Sequence, residues 1–221
     1  MPPRTRSGKK PGARAGSLAI LVRHGQTSTT GQVLPGRAAG LHLSEGGLES
    51  ASRVALALSA MKHPPAGIYA SPLERARETA APIARALSRR VVVDRGLNEC
   101  DFGEWTGRSL TALSRTKEWE SVQNRPNGFR FPGGESFEEM RARVWGTLLR
   151  LSARHQGEAF VAVSHADCIK AAVAEAAGIP LDLFQRLVVS PCSISVIAFG
   201  ANRIHVVCMN RTTSIDDLAL S

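Results

Sequence analysis

The feature that most limits what this chain can become is Leu18-Ala19-Ile20-Leu21-Val22, five apolar residues running straight into Arg23-His24-Gly25. An unbroken apolar run ended by a glycine-containing turn reads as a strand covered on both faces, as in the parallel sheets of α/β proteins. Such sheets bind ligands in the crevice outside the carboxyl ends of their strands. The spacing therefore predicts that Arg23 and His24 are delivered to a crevice by a rigid element. There His24 is a candidate nucleophile for phosphoryl groups; a hydrogen-bonded core histidine is the plainer alternative.

Further along, Ala159-Phe160-Val161-Ala162-Val163 is a second wholly apolar strand, and it runs directly into Ser164-His165. Between the two lie alternating helix and strand signals. Residues 25–43 read as a long loop over the crevice. Ser44 opens a helix with Leu48, Ala51, Ala55 and Leu58 on its inner face, ended by Pro64-Pro65. Ile68–Ala70 is a short strand. Ser71 at the N-cap, Pro72 at the first helical position and Glu74 three residues after the cap predict a capping box. That helix buries Leu73, Ala76, Ala80, Ile83, Ala84 and Leu87. Arg75 falls in its first turn, where free N–H groups and the positive dipole end favour an anion, while Arg77 points elsewhere.

Val91–Val93 is a third strand candidate, followed by a loop with three carboxylates, Glu99, Asp101 and Glu104. Read from the residues alone, any one of these could donate a proton, or the loop could be a solvated acidic one. Residues 109–131 read as partly helical. Ser136 with Glu139 forms a further capping box before a helix burying Phe137, Met140, Val144, Leu148 and Leu151, closed by Gly157. Residues 166–177 form a helix with Ile169, Ala172, Val173 and Ala176 inward, ended by Gly178 and Pro180. Ser193–Phe199 and Ile204–Cys208 read as a strand pair joined at 200–202, and 211–221 show no clear pattern. The order predicts an α/β fold: a three-layer αβα sandwich with a mainly parallel central sheet. The 221 residues suit one domain at 18–210, flanked by a basic tail at 1–17 and a short tail at 211–221.

Composition excludes several classes. No apolar run approaches the length of a bilayer span, and the basic start leads into no signal-peptide core, so the expected location is cytoplasmic. The four cysteines show no CxxC pairing and read as free, mostly buried thiols. His165 and Cys168 lack a partner pair with ligand spacing, so no metal and no cofactor are expected. Of the net charge of +9, five positive charges (Arg4, Arg6, Lys9, Lys10, Arg14) sit in residues 1–17 with no acid, leaving +4 for the rest. No aromatics interleave them as a stacking platform would require, so the tail reads as a disordered extension rather than a nucleic-acid arm.

Five segments together resemble the histidine phosphatase superfamily, the group that includes the cofactor-dependent phosphoglycerate mutases. They are Arg23-His24-Gly25; Ser71-Pro72-Leu73 through Arg75, Thr79 and Ala80; Leu97-Asn98-Glu99 with Phe102-Gly103, Trp105 and Gly107; Pro132-Gly133-Gly134-Glu135-Ser136; and Val163-Ser164-His165. The first tripeptide alone is weak; five in family order, on the expected elements, are specific. The resemblance implies that His24 is phosphorylated, that Arg23, Arg75 and His165 complete a phosphate pocket, and that Glu99 is the general acid; the N–H of Ala166, at a helix N-terminus, is expected to hold a further phosphate oxygen.

The chain departs from the family where the loop meets the substrate. Thr30 stands where asparagine is common, and the aspartate of the usual Gly-x-x-Asp pattern after Gly36 is absent. Thr30 can still donate one hydrogen bond to the phosphate, while Arg37 and His42 become candidates for the rest of the substrate or simply for a solvated loop. Only 23 residues separate Arg75 from Glu99. A mutase must keep its phosphohistidine away from water, and the mutases that this chain resembles carry extra loop residues that cover the site. The compact spacing therefore favours a phosphatase acting on a small-molecule phosphomonoester. A phosphoglycerate mutase-like phosphomutase and a non-enzymatic phosphate-binding module on the same fold are the alternatives.

Overall fold

The computed structural model describes residues 16–212. The basic segment 1–15 and residues 213–221 lie outside it, and with them most of both expected tails. The elements in chain order are β1 (Ser17–Arg23), α1 (Glu45–Ser59), β2 (Gly67–Ala70), α2 (Glu74–Ala86), β3 (Val91–Val93), α3 (Leu110–Leu113), α4 (Lys117–Asn124), α5 (Phe137–Arg154), β4 (Ala159–Ser164), α6 (Ala166–Ala177), β5 (Ile194–Phe199) and β6 (Ile204–Arg211). Three short 3-10 turns fall at Arg95–Leu97, Gly103–Trp105 and Leu181–Arg186.

The six strands form one sheet in the order β3-β2-β4-β1-β5-β6. β3, β2, β4 and β1 run parallel; β5 is antiparallel to β1, and β6 to β5. Side chains alternate across a strand, so β1 turns Ile20 and Val22 to one face and Ala19 and Leu21 to the other, all four buried. On the first face they join Ile68, Val161 and Val163 beneath Ala51, Val54 and Leu58 of α1 and Ala76, Ala80 and Ile83 of α2. On the second they join Phe160 and Ala162 beneath Phe137, Met140, Val144 and Leu148 of α5 and Ile169 and Ala172 of α6. Cover on both faces is the reason the β1 and β4 sequences read as unbroken apolar runs. This is the expected αβα sandwich. Among the described residues no helix is long and apolar enough to cross a membrane.

Helix signals held unevenly. The Ser136–Glu139 capping box is present in both directions, and Gly178 caps α6 in the left-handed conformation. The box at Ser71 does not form: α2 starts at Glu74, its N-cap is Leu73, and no side chain caps it. The Ser71 hydroxyl is 2.8 Å from His165 Nε2, where it satisfies a buried ring nitrogen that would otherwise be costly. Leu48 is also not inward. It is exposed, and Gly47, Ala51, Val54, Ala55 and Leu58 take the buried face of α1. The helix is displaced toward Gly47 because that residue packs on the loop after His24. A Cβ on Gly25 would lie 2.8 Å from Gly47 O, and a Cβ on Gly47 would lie 2.2 Å from Gln26 O. Only a glycine pair allows the two backbones to meet there.

Two helix ends also differ from their sequence signals. α1 stops at Ser59, before Pro64-Pro65, and α5 stops at Arg154 with His155 as its C-cap, short of Gly157.

Candidate active site

The parallel register of β1 and β4 pairs Arg23 with Ser164. The next residue of each strand is a histidine, so His24 and His165 emerge side by side, with ring centroids 5.2 Å apart. The backbone N–H of His24 donates to Ser164 O at 2.9 Å and holds the two strand ends together. β2 ends level with them: Ser71 N donates to Val163 O at 3.0 Å, which brings the Ser71 hydroxyl to His165. The chain then turns into α2 and carries Arg75 to the same place. Thr79 ties this helix to the first strand, its Oγ1 donating to Arg75 O at 2.7 Å and accepting from Gly25 N at 2.9 Å.

His24 is 6% exposed, Glu99 7%, and Arg75 and His165 are fully enclosed. Arg23 is partly buried, one of its terminal nitrogens donating to Val189 O at 2.6 Å. Arg75 spends one terminal nitrogen on Gly36 O at 2.7 Å. Six buried side-chain nitrogens and oxygens among the described residues have no hydrogen-bond partner, and four belong here: Arg23 Nε, Arg75 Nε and Nη1, and His165 Nδ1. Buried polar nitrogens left unpaired, charged ones above all, are expensive unless something binds them. Their concentration beside one histidine defines an anion cradle.

The protonation pattern follows from the same packing. His24 Nδ1 is 2.8 Å from Gly25 O. A carbonyl only accepts, so Nδ1 carries the proton and Nε2 keeps its lone pair. Burial, then Arg23 and Arg75, pushes the His24 pKa down to about 3. Burial and Arg75 also hold His165 well below the usual histidine range. Glu99 moves the opposite way. Burial, reinforced by the nearby Asp167 carboxylate and opposed by Arg75, lifts it to about 7. Its Oε1 accepts from Cys100 N at 2.9 Å, and its Oε2 lies 3.6 Å from His165 Nδ1, too far for a hydrogen bond. A neutral imidazole, permanently charged guanidiniums and a carboxyl poised near neutrality thus share one enclosed space.

The structure ranks the acid loop where the residues alone left it open. Glu99 is buried in the cradle, Asp101 is partly buried and pairs with Arg37, and Glu104 is exposed. Ala166 is the first residue of α6, whose first-turn N–H groups have no intrahelical acceptors. Thr30 is placed differently from the rest: its hydroxyl closes a local turn, 2.9 Å from Thr27 N and 3.0 Å from Thr27 Oγ1. Arg37 donates from Nε to Glu99 O at 2.8 Å and pairs with Asp101 and Glu135. His42 is largely exposed and pairs with Glu78. The Cys168 thiol bonds Asn98 O at 3.1 Å and lies 3.7 Å from Glu99 Oε1.

Two contributors lie outside the expected site. The sequence predicts a helix cap for Ser71, whose partner is 94 residues away. Asp167, which helps to raise Glu99, is marked in the sequence only by its position in the first turn of the helix that follows His165.

The sequence model of the histidine phosphatase superfamily (branch 1) matches residues 19–212. A bifunctional protein of Mycobacterium tuberculosis is 33% identical over 192 residues, covering 85% of this chain and 52% of that relative. The chain thus spans about half the length of the first curated relatives it matches. Phosphoserine phosphatase 1 of Hydrogenobacter thermophilus is 30% identical over 203 residues, covering 90% of this chain and 94% of that one. Among solved structures, a mycobacterial glucosyl-3-phosphoglycerate phosphatase in complex with VO3 superposes with a TM-score of 0.79 at 26% identity, over 90% of this chain and 100% of that chain.

Proposed function

The chain belongs to the histidine phosphatase superfamily, and from that membership we propose that it is a phosphatase that hydrolyses a small phosphomonoester through a phosphohistidine on His24. The observation that carries the proposal is the cluster of unpartnered buried nitrogens on Arg23, Arg75 and His165 around an imidazole whose Nε2 is free. A phosphoryl group in transfer spreads its charge over three equatorial oxygens, and catalysis consists mainly of positioning and charge stabilisation. The two guanidiniums supply fixed positive charge and forked donors. Where the Ser71 hydroxyl gives its one proton to Nε2 at 2.8 Å rather than to Asn98 Oδ1 at 3.3 Å, His165 turns an N–H at Nδ1 toward a phosphate oxygen. The N–H of Ala166 offers a further donor from the α6 terminus. Thr30 joins them only if its turn at Thr27 opens.

In the first step His24 Nε2 attacks phosphorus, the ester P–O bond breaks, and the Glu99 proton passes to the leaving oxygen. In the second the Glu99 carboxylate takes a proton from water, the oxygen attacks phosphorus, and the N–P bond breaks. Inorganic phosphate leaves with His24 neutral and Glu99 protonated again. The substrate is read as a free small molecule, with no role for nucleic acid or membrane. The four thiols, none in a disulfide, fit a reducing compartment such as the cytoplasm.

Hydrolysis is favoured over phosphoryl return by the short connection between Arg75 and Glu99, which leaves little chain to seal the crevice from water. The test is direct. The enzyme should release phosphate from an aryl phosphate in chelator-treated buffer without a primer. Isomerisation of phosphoglycerate that depends on a bisphosphorylated primer would replace this reading with the mutase. Neither activity, with no phosphate on His24, would leave a binding module.

A further inference from the structure

The loop that presents Glu99 has no strand or α-helix of its own; only a 3-10 turn at Arg95–Leu97 precedes it. Its hold comes from α5. Arg143, in the middle of that helix, donates from Nη1 to Gly96 O at 3.0 Å and to Asn98 O at 2.9 Å. Its Nη2 donates to Glu99 O at 3.3 Å and to Glu135 Oε2 at 2.8 Å, and its Nε to Glu135 Oε1 at 2.9 Å. A guanidinium has five N–H donors, and here all five are used within the protein. Arg75, with three nitrogens of which two are unpartnered, is the opposite case. One arginine waits for a ligand; the other holds a loop.

Glu135 is the second half of the device. Besides its two-pronged pair with Arg143, its Oε2 accepts from Arg37 at 2.9 Å and from Asp101 N at 3.1 Å. Arg37 in turn bonds Glu99 O at 2.8 Å. The Glu99 carbonyl is therefore gripped by two guanidiniums that share one carboxylate, and the loop after His24 is fastened to the acid loop through Arg37. Close packing adds to the grip. Thr147 lies one turn after Arg143 on the same helix face, and a Cβ on Gly96 would come within 1.9 Å of its hydroxyl.

We propose that Arg143 is a positioning residue for the reaction: with Glu135 as its anchor, it fixes the backbone of residues 96–99 so that the Glu99 carboxyl meets the leaving oxygen. This rests on the reading of Glu99 as proton donor. Misplacing a catalytic group by about 1 Å costs on the order of 100-fold; in kcat/KM, which reports transfer to His24 and not the later breakdown of the phosphohistidine, that cost falls only on substrates that need the proton. An alkoxide leaves poorly without one; a weakly basic aryloxide leaves unaided.

The experiment compares an alkyl phosphate with p-nitrophenyl phosphate, measuring kcat/KM against pH for the wild type, Arg143→Met, Glu135→Gln and Glu99→Gln. Arg143→Met should lower kcat/KM for the alkyl phosphate about 10- to 100-fold and flatten its alkaline limb, while kcat/KM for p-nitrophenyl phosphate changes less than about threefold. Glu135→Gln should do the same to a smaller degree, and it carries the test if Arg143→Met gives no cooperative thermal transition. Equal losses on both substrates, or no loss on either, would overturn the proposal. If Glu99→Gln slows the alkyl ester and the Arg143 and Glu135 variants do not, only the positioning role fails. If Glu99→Gln itself leaves the alkyl ester unaffected, the proton-donor reading fails and takes this proposal with it.

Discussion

Replacing His24 by alanine is expected to lower kcat by roughly four to six orders of magnitude, the scale seen when a nucleophile that works as part of a unit is removed. The fold should survive. His24 follows the last residue of β1, and the apolar contacts of that strand come from Ala19, Ile20, Leu21 and Val22. Removal of the ring leaves Arg23, Arg75 and His165 in place, so inorganic phosphate should still bind. The loss would then appear in kcat with little change in product inhibition. A structural role for His24 would give the reverse, a lowered melting temperature with turnover per folded molecule largely retained. The pKa of about 3 in the free protein keeps His24 neutral across the working range. Its protonation therefore sets no acid limb above that value.

The second large effect belongs to Glu99. Glu99→Gln should reduce hydrolysis of alkyl phosphates by about 100- to 10,000-fold, the usual range for general acid–base catalysis. The wild-type kcat/KM should fall as pH rises through about 7, because burial and Asp167 place the Glu99 pKa there and only the protonated carboxyl can serve as acid. The glutamine variant should lose that limb. Stability supplies a second readout with a defined sign. The folded pKa is raised above the usual carboxylate value, so the folded state holds a proton that the unfolded state has released. The contribution of Glu99 is fully present below the unfolded pKa and is lost as pH rises through about 7. Thermal melts at pH 5 and pH 8 should show the wild type losing more stability than Glu99→Gln over that interval.

What could be read from the sequence was whatever local chemistry announces. β1 and β4 were legible because burial on both faces leaves an unbroken apolar run, and the polar pair at each end marked the crevice. Arg75 was legible because a strand–turn–helix signal placed it in a first turn. Glu99 could be picked from three carboxylates only through the family resemblance; the structure separates them by enclosure, a property that no spacing encodes. Ser71 shows the opposite failure. Its Ser-Pro-x-Glu context is a genuine helix-start pattern, yet a buried imidazole 94 residues away competes for the hydroxyl and wins. Leu48 is exposed while Gly47 takes the buried face of α1 against Gly25 and Gln26, a contact set by two backbones rather than by apolar periodicity. Arg37, a candidate for the substrate rim, is committed to Glu99 O, Asp101 and Glu135. Networks of that kind join segments 60 or more residues apart and leave no local trace.

The central claim is that His24 Nε2 takes the phosphoryl group. Mixing the enzyme with a phosphomonoester labelled on phosphorus, quenching in alkali within a turnover and mapping the label by peptide mass spectrometry tests it most directly. The account expects phosphate on His24, stable to base, lost in mild acid and absent from His24→Ala. Label on a different residue, or none at all while the wild type turns over, would contradict it.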